Sequence, residues 1–374
     1  MKILLLANYL PDAQESMKRF VTMLETSLTQ LNHQVRVIRP EPWMGRLKAS
    51  ATGLGKWLGY IDKFILFPQT LQQAVSWADI VHICDHSNAI YTKYLQNIPH
   101  LVTCHDLLAI RSSLGEIPEN PTKWTGKQLQ QMILNGLNRA QHVVCVSQQT
   151  QNDLLRLSSL ESHQVSVIYM SLNYAYSPMP STEANLRLKT LGISSHSPFL
   201  LHVGGNHWYK NRLGVLSIFN HLRQIKGCEN LSLIIAGQEW TPAMHQFIQQ
   251  HNLSQKVVEL VAVENEDLRA LYSTATALLF PSFQEGFGWP IIEAQACGCP
   301  VITSHKAPMT EVGGETVLYI DPYYPEEAAN KIAYHLPTIE NLKSPGFINV
   351  KQFRLEQMLE NYIQLYQTLI LEKN

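Results

Sequence analysis

Short apolar runs alternate along the chain with longer segments whose apolar residues recur at helical spacing. In the first half the runs are Ile3–Ala7, Val35–Ile38, Ile80–Ile83, Leu101–Thr103, Val143–Val146 and Val165–Tyr169. In the second they are Phe199–Val203, Leu231–Ala236, Val257–Leu260, Ala277–Phe280, Val301–Thr303 and Val317–Ile320. Continuous apolar runs mark strands buried on both faces, and their alternation with helices predicts parallel sheets covered by helices on either side. The expected fold is therefore α/β, with two Rossmann-like, doubly wound domains in tandem. Tyr174–Thr182 contains Pro178 and Pro180 and has no periodicity, so it reads as the linker between domains at 1–175 and 183–351. The final segment, Lys351–Leu371, repeats Leu355, Met358, Leu359, Tyr362, Ile363, Tyr366, Leu369 and Ile370, a helical stripe that must pack on something.

Composition narrows the partners. A chain of 374 residues, 45% hydrophobic, can fill two full cores. Its net charge of −1 gives no global attraction to nucleic acid or to anionic membranes, so either would need a local patch. No run approaches the roughly twenty apolar residues that span a bilayer, and the N-terminal run is too short for a signal peptide, which predicts a cytoplasmic protein. The six cysteines are scattered, three of them in or beside strand-like runs, and read as buried thiols. Cys297 and Cys299 find no matching cluster that would make them a metal site.

The chemistry concentrates in F-P-S-F-Q-E-G-F-G-W-P-I-I-E-A-Q-A-C-G-C-P-V-I-T, from Phe280 onward. A strand ends at Phe280, a loop runs to Gly288, and Pro290 begins a helix, where its missing N–H costs nothing; Gly298 ends that helix. Free N–H groups around Gly286, Phe287 and Gly288 suit phosphate oxygens at a helix N-terminus. Glu285 and Glu293 are placed to accept hydrogen bonds from sugar hydroxyls, which together points to a sugar nucleotide. On spacing alone the same residues also fit a glycine-rich turn between two solvated acids. After the strand at Phe199, V-G-G-N-H-W-Y-K-N-R-L offers a second phosphate loop, in which the backbone at Gly204 and Gly205 approaches closely and Lys210 adds a point charge.

Together these segments resemble retaining nucleotide-sugar glycosyltransferases of family 4, which have the GT-B fold. The likeness rests on P-S-F-Q-E-G-F-G-W-P-I-I-E-A-Q-A-C-G-C-P-V, with its two glutamates eight positions apart, and on A-P-M-T-E-V-G-G-E-T-V-L-Y-I-D-P. It extends to the loop after Val203 and to A-Q-H-V-V-C-V-S-Q-Q-T-Q-N-D-L-L at Ala140–Leu155, where Ser147 reads as a helix cap.

The resemblance implies two domains facing across a cleft, with the C-terminal helix, 352–374, packed back on the first. It implies Lys210 neutralising the departing diphosphate, Glu285 with the Phe287–Gly288 backbone on the donor sugar, Glu293 on the ribose, and Val263 near the base. His105, in T-C-H-D-L, would lie near the transferred sugar and the acceptor. Two departures stand out. Gly205 replaces the family's arginine, leaving Arg212 or His207 to assist Lys210. Glu15-Ser16 replaces its Gly-Gly pair, so Ser16 would donate to the donor phosphate while Glu15 faces solvent or acceptor.

The implied reaction moves a hexose, with retention, from a nucleotide-diphosphate sugar to a glycan or lipid-linked acceptor in cell-envelope or exopolysaccharide synthesis. The donor is a co-substrate and no further cofactor is implied. The chain contains no Asp-x-Asp, so the usual metal–diphosphate bridge is not expected. Rival readings are a sugar-nucleotide-binding subunit with impaired catalysis and a non-transferase of the same fold, such as an epimerase. Finally, residues 43–68 interleave Arg46, Lys48, Lys56 and Lys63 with Trp57, Tyr60, Phe64 and Phe67, opposed only by Asp62. Such composition suits peripheral contact with a membrane or with a lipid-linked acceptor.

Overall fold

The computed structural model describes residues 1–47, 54–194 and 197–373. The chain forms two compact units, one of Met1–Tyr169 with Leu355–Asn374 and one of Met170–Arg354.

The first unit holds strands β1 (Lys2–Leu6), β2 (Gln34–Ile38), β3 (Ile80–Ile83), β4 (His100–Cys104), β5 (His142–Cys145) and β6 (Val165–Val167), in the order β2-β1-β3-β4-β5-β6. The second holds β7 (Phe199–Gly204), β8 (Ser232–Gly237), β9 (Val257–Val261), β10 (Ala277–Phe280), β11 (Val301–Ser304) and β12 (Leu318–Ile320), in the order β12-β11-β10-β7-β8-β9. Every pairing is parallel. Each apolar run of the sequence is a strand, within one or two residues at its ends. The central strands, such as Ile3–Leu6 and Ala277–Phe280, have no exposed surface, as sheets covered by helices on both faces require. In each sheet the order reverses once, between β1 and β3 and between β7 and β10. Such a topological switch opens a crevice at the carboxyl ends of the strands.

The expected linker is not one. Tyr174–Thr182 lies inside the second unit, where Tyr176 and Met179 are buried and Met179 N–H donates to Ser273 Oγ at 3.0 Å. Its prolines remove periodicity, yet its apolar side chains still find a surface: Met179 packs with Ala184 and Ala270. The change of unit falls earlier, between Tyr169 and Met170.

The C-terminal helix, Leu355–Lys373, returns to the first unit and buries Met358, Leu359, Tyr362, Tyr366 and Leu369. Two of these phenols complete a polar chain under the sheet. Tyr366 OH meets His82 Nδ1 at 2.7 Å, His82 Nε2 meets Thr103 Oγ1 at 2.7 Å, and Thr103 Oγ1 meets Tyr362 OH at 3.0 Å. Burial pushes the His82 imidazole down to about 3, so the ring is neutral and one nitrogen donates while the other accepts.

Among the described residues no helix is long and apolar enough to cross a membrane. Within 43–68, Lys48 lies outside the described residues. Trp43, Trp57 and Ile65 are more than half exposed, whereas Phe67 belongs to the core and meets Tyr91 edge-on. Asp62 is no counter-charge on that surface. It is buried and accepts from Tyr9 OH, Met44 N–H and Gly45 N–H at 2.8–2.9 Å.

Candidate active site

In the second unit the loops after β7 and β10 meet at the switch point. After β7 the chain passes through a single turn, Trp208–Lys210, into the helix Arg212–Leu222. Asn211 joins the two loops: its Oδ1 accepts from Gly214 N–H, capping that helix, while its Nδ2 donates to the Pro281 carbonyl at 3.0 Å. Phe283 N–H donates to the Tyr209 carbonyl at 2.8 Å. These bonds bring Lys210 to Glu285, and Nζ lies 2.7 and 2.9 Å from the two carboxylate oxygens. Both side chains are largely buried, which weakens screening and strengthens the pair. A cation and an acid are thus held together at the point where the fold places ligands.

Gly288, at φ +103°, caps the helix Trp289–Ala296 in a backbone region that favours glycine. Gly288 joins the loop of Gly286 and Phe287 to the start of that helix. Gly237, at φ +149°, has no room for a side chain, because a Cβ there would stand 2.1 Å from the Gly204 carbonyl oxygen. Gly204 lies against His202 Nε2 and the Lys210 stem. At Gly205 a Cβ would meet Gln238 Oε1 at 3.0 Å, and that oxygen already accepts from Asn206 N–H. Gln238 therefore stands beside the position at which the family carries its arginine. Arg212 is buried and donates to Asn206 Oδ1. His207 is exposed and stacks on Tyr209.

Glu293 sits deeper than its partner in the motif. It is 4% exposed, and its oxygens accept from Asn173 Nδ2 at 3.0 Å and Tyr272 OH at 2.9 Å. Val263 is partly exposed in the loop after β9, at the far edge of the sheet. All six cysteines are buried free thiols.

In the first unit His105 follows β4, is 8% exposed, and donates Nε2–H to the Cys84 carbonyl at 2.9 Å. Phe20 meets its ring edge-on. Burial pushes the imidazole down, opposed in part by Asp85. Ser147 caps its helix as expected, accepting from Thr150 N–H at 3.1 Å. Ser16 is exposed in the first turn of the helix Glu15–Gln30. A cleft of about 230 Å³ beside β1 is lined by Asn8, Gln14, Glu15, Lys18 and Arg39, among others, but not by Ser16.

Sequence reading missed the pair that follows β3. Asp85 is 2% exposed; its carboxylate accepts from Ser87 Oγ at 2.7 Å and from Asn8 Nδ2, and it stands 3.0 Å from His86 Nδ1. The adjacent Asp-His-Ser at 85–87 was a visible signal, but its partner Asn8 comes from a distant part of the chain.

Comparison with known proteins agrees with this architecture. Residues 17–174 match the family model for Glycosyltransferase Family 4, and residues 187–344 match that for Glycosyl transferases group 1. O-antigen chain mannosyltransferase B of Escherichia coli is 24% identical over 370 residues, spanning 95% of this chain and 94% of that protein. O-antigen chain mannosyltransferase RfbU of Salmonella typhimurium is 29% identical over 191 residues, 51% of this chain and 50% of that protein. Among solved structures, sucrose-phosphate synthase from Thermosynechococcus elongatus superimposes with a TM-score of 0.78 at 20% identity over the whole of both chains. Anabaena HepE in complex with UDP and glucose does so with a TM-score of 0.73 at 18% identity, over 98% of this chain and all of that one. At such identities the structural likeness shows the fold, while the two family models span most of the sequence. The chain belongs to the family 4, group 1 glycosyltransferases and is a sugar-transferring enzyme with the GT-B fold.

Proposed function

We propose that the enzyme moves a hexose, with retention of configuration, from a nucleotide-diphosphate sugar to a glycan or lipid-linked acceptor during envelope or exopolysaccharide synthesis. The observation that carries this reading is the Lys210–Glu285 pair at the switch point of the second sheet, beside the helix N-terminus at Gly288. Lys210 stabilises the diphosphate as negative charge develops on it, and Glu285 turns to the hydroxyls of the transferred sugar. The N–H groups of Phe287 and Gly288 face the sugar and phosphate oxygens. Glu293, already oriented by Asn173 and Tyr272, accepts from the ribose. Charge stabilisation by Lys210 replaces a metal bridge, consistent with the lack of an Asp-x-Asp sequence. The full-length similarity to an O-antigen mannosyltransferase supports a mannosyl donor and an envelope glycan product.

The test is release of nucleoside diphosphate from UDP-, GDP- and ADP-sugars. One donor should be turned over by the wild-type protein, and product analysis should show the configuration retained. No release from any donor would leave the sugar-nucleotide-binding subunit as the better reading.

Peripheral membrane contact through 43–68 forms part of the proposal. The exposed Trp43, Trp57 and Ile65, with Arg46 nearby, suit the interface of an anionic bilayer on the cytoplasmic side. Sedimentation with phosphatidylglycerol vesicles should carry the protein down, and Trp57→Ser should reduce that. Equal recovery in the supernatant with and without vesicles would end this part of the reading.

A further inference from the structure

In the second unit one cation of the donor loops has no counter-charge. Lys210 is paired with Glu285, so that pair is neutral as a unit. Arg212, the first residue of the helix Arg212–Leu222, is 5% exposed and forms no ion pair among the described residues. Its Nη1 donates to Asn206 Oδ1 and, at 3.4 Å, to the Glu239 carbonyl. Nε and Nη2, one whole edge of the guanidinium fork, are buried without a partner. Burial pushes the pKa of this guanidinium down. Glu259 pulls it back from a distance, and one of its oxygens accepts from Trp240 N–H instead. Glu239 is exposed.

Arg212 holds the turn that follows β7. Asn206 accepts from it, donates Nδ2–H to the Glu239 carbonyl at 2.8 Å and gives its N–H to Gln238 Oε1 at 2.7 Å, so the backbone after Gly204 and Gly205 is fixed from three directions. Both cations bear on His202, whose Nε2 would stand 3.2 Å from a Cβ on Gly204. Burial pushes that imidazole down to about 3, and Arg212 and Lys210 add to the effect. A buried charge without a counter-charge destabilises a fold, and in a weakly screened interior its attraction reaches an anion bound nearby. We propose that Arg212 is a positioning residue of the donor site: its buried cation, behind the Gly204–Asn206 turn, supplies the standing positive charge that draws the donor diphosphate, without touching it. It thereby stands in for the arginine that the family carries at Gly205.

This role rests on the nucleotide-diphosphate reading of the site, and the two can fail separately. UDP, GDP and ADP are titrated calorimetrically into the wild-type protein, and the tightest of them into Arg212→Met and Arg212→Lys. Arg212→Met keeps an apolar stem and removes the charge. It should weaken binding at least about tenfold, while the melting temperature of the ligand-free protein stays the same or rises. Arg212→Lys keeps the charge and should bind within about threefold of wild type. Affinity and stability thus part company, whereas an arginine with a merely structural role would lose both. Binding by Arg212→Met within about threefold of wild type, a melting temperature that falls along with the affinity, or Arg212→Lys as weak as Arg212→Met would overturn the role. If none of the three diphosphates binds the wild-type protein, the donor reading itself fails and this role fails with it.

Discussion

At the switch point of the second sheet a full cation faces a full anion, Lys210 against Glu285, and both belong to loops that a strand and a helix hold rigid. At the switch point of the first sheet the charge is consumed internally: Asp85 is enclosed by Asn8, Ser87 and His86, and what remains is hydrogen-bonding capacity without a free cation among the bonded groups. The same topology therefore carries two chemistries. A diphosphate needs charge that can be exchanged; a hydroxyl needs only oriented lone pairs and donors. The contrast is that one strand order places an ion pair at one crevice and an enclosed carboxylate at the other, so local side chains and not topology set the chemistry of each.

The largest effect expected from breaking this contrast is at the charged end. Lys210→Ala and Glu285→Ala should each lower turnover at least about a hundredfold, in donor hydrolysis as well as in transfer, because both steps expel the diphosphate. Near wild-type release of nucleoside diphosphate by either variant would remove the distinction between the two sites.

A second change probes the scaffold of the neutral end. Tyr366→Phe deletes the hydroxyl that His82 Nδ1 meets and leaves a fully buried nitrogen unpaired, which should cost about 1–3 kcal/mol in urea unfolding. Because His82 is held neutral, with its imidazole pushed down to about 3, its contribution to stability is full above the ordinary histidine value of 6.5. It is lost progressively as pH falls from there towards 3. The wild-type melting temperature should therefore begin to fall already below about pH 6.5.

The smallest effect is expected on the surface of the first unit. Glu116 accepts from Arg156 at 2.6 and 2.8 Å and from Arg111 at 3.0 Å, and those bonds hold its carboxyl down to about 2. Such a group stabilises above its ordinary value and loses that contribution as pH drops towards 2. Arg156 is half exposed, so Arg156→Ala should cost less than about 1 kcal/mol and leave both sites unchanged, as unfolding and hydrolysis assays would show.

The fold was legible because sheets buried on both faces need unbroken apolar runs, and every run became a strand. Lys210 and Glu285 were legible because each stands in a loop between a strand and a helix, so local spacing carries their geometry. Asp85 and His86 were not, since their meaning depends on Asn8, brought from 77 residues away by the pairing of β1 with β3. Burial also changed the reading of single residues. Asp62 looked like the one acid on a basic surface and is instead the acceptor that closes a buried turn against Tyr9. Tyr174–Thr182 looked like a linker because prolines erase periodicity, but they do not prevent Tyr176 and Met179 from being buried.

The return of the helix Leu355–Lys373 to the first unit has a consequence for biosynthesis. The strands β1 to β6 are translated before the second unit, yet the hydroxyls that meet His82 and Thr103 are encoded after it. At about 5–20 residues per second, translation of Met170–Arg354 inserts a delay of roughly 10–40 s before those partners emerge. During that interval His82 Nδ1 and the Thr103 hydroxyl lack their tyrosine partners, while the second unit, which is continuous in sequence, can complete itself. The half of the enzyme that is made first is thus the half that is finished last.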